Sequence, residues 1–190
     1  MNAITREQTT KYTMRTTALT LAAALLAAHL HGQDGLNKHF GIGGQVGQIQ
    51  RDFGIGLNVT SPYFANQKMA VRLRGNVAWN QHATGELGTT WTPYSNLSFG
   101  FLQAVGEMGD FVRVYGEGGA IFLFPAKDFS SNAVQFGGYG LFGFEFHFDA
   151  HMNYFLEAGG VGTGARADEV TGEPIYSNGF LMNVGVRVQF

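Results

Sequence analysis

Hydrophobic and polar positions alternate with period two along most of the chain after Gly35. A strand shows successive side chains to opposite faces, whereas an amphipathic helix repeats every 3.6 residues, so the pattern predicts β-strands. One run places Met69, Val71, Leu73, Val77 and Trp79 opposite Ala70, Arg72, Arg74, Asn76 and Asn80. The last run sets Phe180, Met182, Val184, Val186, Val188 and Phe190 against Leu181, Asn183, Gly185, Arg187 and Gln189. Similar runs cover 40–47, 53–60, 96–103, 112–124, 135–148 and 154–163, which predicts eight strands. Parity falters at Leu102-Gln103, where a β-bulge is expected.

The connections are uneven. A tight reversal is expected at Gln50-Arg51-Asp52, and short turns at 61–67, 107–110 and 149–153. Longer loops are expected at 82–93, 126–133 and 164–178. Alternating short turns and longer loops are the mark of a transmembrane up-and-down barrel.

Each strand has one wholly apolar face. In a soluble barrel that face turns inward, and in a membrane barrel it turns to lipid. The opposite faces decide the matter. They carry Arg72, Arg74, Arg113, Glu117, Glu145, His147, Glu157 and Arg187 among Gly, Asn, Gln and Tyr. Arg and Glu without Lys suit a narrow interior filled by paired charges, because the guanidinium fork binds carboxylates bidentately. A lipocalin-type, calycin-like soluble binder would show the reverse, an apolar lumen and a charged exterior. The fold class expected is therefore all-β, an eight-stranded antiparallel up-and-down transmembrane β-barrel. Trp79, Tyr94, Phe124, Tyr63, Phe148 and Tyr154 stand near strand ends, where interfacial aromatics belong.

Composition agrees. The 190 residues include 28 Gly and 17 Phe but no Cys, and the net charge of −2 speaks against a nucleic-acid binder. Without Cys there is no disulfide scaffold, thiolate metal site or lipoprotein anchor. Residues 14–33, MRTTALTLAAALLAAHLHGQ, place a basic start before an apolar stretch too short to span a bilayer as a helix. Residues 1–33 are expected to be an N-terminal extension and cleavable signal peptide, with Met14 an alternative start, and 34–190 the barrel.

Local chemistry is sparse. His82, Asp128, Ser130 and His147 are the candidates for a lipid-modifying site, but no His-x-Ser strand pattern accompanies them. His147 and His151 are four apart in a strand and turn, a poor metal frame. The segments GIGGQVG and GGVGTGA do not fit G-x-G-x-x-G. No cofactor is expected.

The chain resembles the small outer-membrane β-barrels of the OmpA, OmpX and Ail-like kind and their Bacteroidota relatives. The likeness covers 38–190 and rests on the strand pattern and the ending NVGVRVQF. In that ending Gly185, Val186, Val188 and Phe190 resemble a signal read by the barrel assembly machinery. The resemblance implies a monomeric barrel in the outer membrane of a Gram-negative bacterium, in contact with lipid and lipopolysaccharide, with both barrel termini periplasmic. It implies a structural or surface-interaction role. The Arg and Glu residues would plug the lumen or, alternatively, line a gated ion path. A lipid-modifying enzyme and an exported calycin-like binder are the rival functions.

Overall fold

The computed structural model describes residues 39–84, 88–109, 111–147 and 151–190. The expected leader at 1–33 and the aromatic Phe148 lie outside the described residues. Eight strands run in chain order: β1 (Gly41–Ile49), β2 (Asp52–Thr60), β3 (Met69–Thr84), β4 (Gly88–Met108), β5 (Val112–Pro125), β6 (Gln135–His147), β7 (Met152–Gly162) and β8 (Gly179–Gln189). Among the described residues there is no helix. Each strand pairs antiparallel with the next, and β1 pairs with β8 to close the ring. Ile42 thus faces Val59 on one side and Val188 on the other. Closure leaves no unpaired sheet edge around the ring.

Both ends are organised by the connections. One end, the loop end, carries the β1–β2, β3–β4, β5–β6 and β7–β8 connections. The other, the terminal end, carries the three remaining turns, with Phe190 N–H bonded to the Phe40 carbonyl. The expected loop at 82–93 is a correction: β3 runs to Thr84, β4 starts at Gly88, and Ala83 pairs with Thr89. Thr and aromatic residues favour strands, so this hairpin extends beyond its neighbours instead of loosening.

The bulge also differs from expectation. Parity holds at Leu102 and Gln103, and the register shifts between Ala104 and Gly106. The extra residue, Val105, rephases the remainder of β4. Glu107, expected in a turn, therefore lies within β4 opposite Arg113.

Faces segregate fully. Every Asp, Glu, Arg and His inside the eight strands points inward. The outward positions include Ile55, Leu57, Phe99, Phe101, Phe136, Phe142 and Val184, all exposed. Trp79 and Phe53 stack outside with centroids 6.5 Å apart. Tyr94 and Tyr63 depart from the expected aromatic belt. Tyr94 is 3 % exposed and faces the lumen, and the Tyr63 ring lies under the Arg113 guanidinium, 5.1 Å from its centroid.

Two glycines make room for the interior. A Cβ at Gly143 would overlap the Tyr115 ring, and one at Gly100 would meet the Tyr139 hydroxyl. Ring atoms cannot bend away as a flexible chain end can. Gly143→Ala is expected to destabilise the barrel by about 1–3 kcal/mol, the usual cost of overpacking. The urea midpoint of the folded gel band in detergent measures it.

Candidate functional site

The interior is a single polar network to which all eight strands contribute. At its centre Arg72 Nη1 donates to Glu117 Oε2 at 2.9 Å and to Glu157 Oε1 at 2.8 Å. Its Nη2 reaches Glu145 Oε1 at 3.3 Å, and its Nε donates to Thr60 Oγ1 at 2.9 Å. Arg74, two residues along the same face, donates to Glu157 Oε2 at 2.8 Å and Glu117 Oε2 at 2.5 Å. Period two makes this possible, since i and i+2 share a face. The Tyr115 hydroxyl donates to Glu157, Tyr139 donates to Glu117 at 2.7 Å, and Asn183 donates to Glu157 at 2.9 Å.

Toward the terminal end Arg187 pairs with Glu145, and its Nε donates to Asn58 Oδ1 at 3.2 Å. Arg113 bridges Glu145 and Glu107, each at 3.6 Å. His147 Nε2 lies 3.9 Å from Glu145 Oε2. Toward the loop end an amide chain continues the network. Asn58 donates to Gln45, Gln45 to Asn76 at 2.8 Å, and Asn76 to Asn96 at 2.8 Å.

The sequence pattern alone puts four arginines against three glutamates in this interior. That imbalance is itself a signal of a missing carboxylate, and Glu107 supplies it through the bulge. Tyr115, Tyr139 and Asn183 are legible as polar-face residues, but their bonds to Glu157 and Glu117 are not. A carboxylate in a narrow lumen has several lone pairs to satisfy, and hydroxyl and amide donors of the right reach do so.

A second cluster closes the loop end. Asp52, expected in a reversal, is the first residue of β2 and faces inward. Its carboxylate accepts from Asn80 Nδ2 at 2.6 Å, the Tyr94 hydroxyl at 2.7 Å and the Ser177 N–H at 2.6 Å. Over it Phe129 from the β5–β6 loop packs on Tyr176 of the β7–β8 loop at 4.8 Å and on Tyr94 at 6.3 Å. The two loops are tied by Asp168, which accepts from Ser130 Oγ at 2.7 Å, from the Ser131 N–H at 3.0 Å and from the Ser131 hydroxyl. Between this cap and Arg74 lies a cavity of about 40 Å³, lined by Asn76, Asn96, Ser98 and Asn183 among others. That is room for a few waters and no more.

The residues considered for lipid chemistry divide between the two ends of the barrel. Ser130 donates to Asp168, and His82 packs its ring on Phe129 at 5.9 Å. Asp128 is exposed, and His147 lies at the opposite end of the barrel. Among the described residues no group of three or more His, Cys, Asp or Glu could hold a metal ion. Gly185 faces inward against the Phe155 ring and the Gly44 carbonyl, whereas Val184, Val186, Val188 and the exposed Phe190 form the outward row.

A closed eight-stranded ring of this kind has counterparts among solved structures. The N-terminal β-barrel domain of Pseudomonas aeruginosa OprF matches with a TM-score of 0.56 and 11 % identity, over 80 % of this chain and 98 % of that one. The outer membrane protein OprG from Pseudomonas aeruginosa matches with a TM-score of 0.51 and 15 % identity, over 82 % and 99 %. No family model matches the sequence, and no curated protein does. The chain has the fold of the small outer-membrane β-barrels.

The site generates two expected outcomes. Glu157 holds both Arg72 and Arg74, so Glu157→Ala leaves two buried cations short of a partner. It is expected to cost about 3–5 kcal/mol, read as a lowered urea midpoint, with Glu157→Gln falling between it and the parent. The Ser131 and Ser130 hydroxyls hold the exposed Asp168 carboxyl down at about 2, from an ordinary value of 3.8. A depressed folded value means that the loop tie is at full strength above the ordinary value and is lost as pH falls through the folded one. Amide exchange in the β7–β8 loop should stay slow down to about pH 4 and rise only toward about pH 2, whereas in Ser131→Ala it should rise at higher pH.

Proposed function

We propose that this protein is a small outer-membrane β-barrel with a structural or surface-interaction role, closed to solutes and without catalytic activity. The observation that carries the reading is the complete segregation of charge. All ionisable side chains of the strands that carry Asp, Glu, Arg or His face the lumen, and the outward belt is apolar. A single Arg or Lys on a lipid face costs about 2–4 kcal/mol at the bilayer midplane. A barrel kept in water would have no reason to avoid such residues.

The lumen favours a plug over a path. Arg72, Glu117, Glu145 and Glu157 meet near its middle, and eight strands leave little more than side-chain room. The longer connections at one end favour the ordinary orientation, with the loop end outside and both barrel termini in the periplasm. The partners in this reading are lipid, lipopolysaccharide and, during assembly, the barrel insertion machinery. The outward row ending at Phe190 suits recognition by that machinery. The protein works as a monomer. Binding would fall to the loops, which a rigid barrel positions well. Ser130, His82 and His147 have separate partners, which is why a lipid-modifying reaction ranks below this reading.

The test is cell fractionation joined to planar-bilayer recording. The protein is expected in the outer-membrane fraction and electrically silent when reconstituted. Recovery in the soluble periplasm would overturn the membrane reading, and steady conductance would overturn the plug.

A further inference from the structure

The interior network leaves one concave region of the loop end unused. A groove of about 520 Å³ opens there between the β1–β2 turn, the end of β3 and the β7–β8 loop. Its volume falls within the range of small-ligand sites, ~300–1,000 Å³.

The groove is chemically specific. At its floor Asn80 is 1 % exposed and donates its Nδ2 to Asp52, but its Oδ1 has no partner among the described residues. The walls present the amides of Gln50, Gln81 and Asn178. Asn178 Oδ1 already accepts from the Thr163 and Gly164 N–H groups, which leaves its Nδ2 to donate. Amides offer donor and acceptor together, the complement of vicinal hydroxyls. Beside them Ile49 and Ile175 provide an apolar strip.

Charge narrows the ligand further. Arg51 stands against Asp52 and Glu173, a balance of minus one, and neither Arg51 nor Glu173 forms an ion pair among the described residues. Such a lining disfavours polyanions.

We propose that this groove binds a neutral saccharide of one to three units. The amides of Gln50, Gln81 and Asn178 take the hydroxyls, and the isoleucine strip takes a C–H face of the ring. The inference deepens the surface-interaction reading and rests on it for the groove's exposure to the outside.

The experiment uses the full chain folded in detergent micelles. Maltotriose, cellotriose and triacetylchitotriose serve as neutral probes, and a chondroitin sulfate disaccharide as the anionic one, read by saturation-transfer NMR and calorimetry. At least one neutral probe is expected to bind. Gln81→Ala should weaken that binding about tenfold, and Ile175→Trp, which fills the groove from an exposed position, should abolish it. Both variants should keep the folded gel mobility. Absence of binding by all three neutral sugars, binding that survives Ile175→Trp, or preference for the sulfated sugar would overturn the inference. Loss of sugar binding in a folded, membrane-inserted barrel sinks the saccharide alone, whereas failure of the protein to fractionate with the membrane sinks the reading beneath it.

Discussion

The pairing of arginines with glutamates inside a narrow ring is the constraint on which the rest depends. Eight strands enclose a space that side chains must fill, and the surrounding face is apolar, so every ionised group has to find its partner within the lumen. Four arginines, Arg72, Arg74, Arg113 and Arg187, meet four glutamates, Glu107, Glu117, Glu145 and Glu157. The glycines at 100 and 143, the bulge at Val105 and the inward Tyr115 and Tyr139 all serve this packing. Breaking one pair exposes a buried charge, which is dearer than never having built the pair.

Much of the barrel can be read from alternation alone. Period two assigns each side chain to a face, so the lumen side of Arg72, Glu145 and Glu157 is visible in the sequence. Alternation fails where the chain changes phase. The bulge displaces Glu107 from a turn into the network, and no local residue type announces a bulge two positions after Leu102-Gln103. Strand ends are also hard to place, because Thr and Gly at 82–93 fit a loop as well as an extended hairpin. The aromatic residues mislead for a related reason. Tyr at a strand end can face headgroups or lumen, and for Tyr94 the deciding partner, Asp52, is 42 residues away.

The loop-end cap is beyond sequence reading altogether. Asp168 with Ser130 and Ser131, and Phe129 with Tyr176, join two connections that have no periodicity to interpret. Their contacts are set by the barrel, which brings the ends of β5 and β7 within reach of one another. The barrel therefore closes twice, by ion pairs in its middle and by an aromatic cap at one mouth, with a small cavity between. The solved barrels it resembles share its fold at low identity.

The sequence separation of the central pairs has a consequence for biogenesis. Arg72 and Arg74 lie on the third strand, and one of their shared carboxylates, Glu157, lies on the seventh, 83 residues after Arg74. Arg187 on the final strand meets Glu145 across 42 residues. A nascent sheet of six strands would hold Arg72, Arg74 and Arg113 with Glu107, Glu117 and Glu145, but without the Glu157 that joins Arg72 to Arg74. The pairs made by Glu157 and Arg187 therefore form only when the last two strands close the ring, so the centre of the lumen is completed last along the chain.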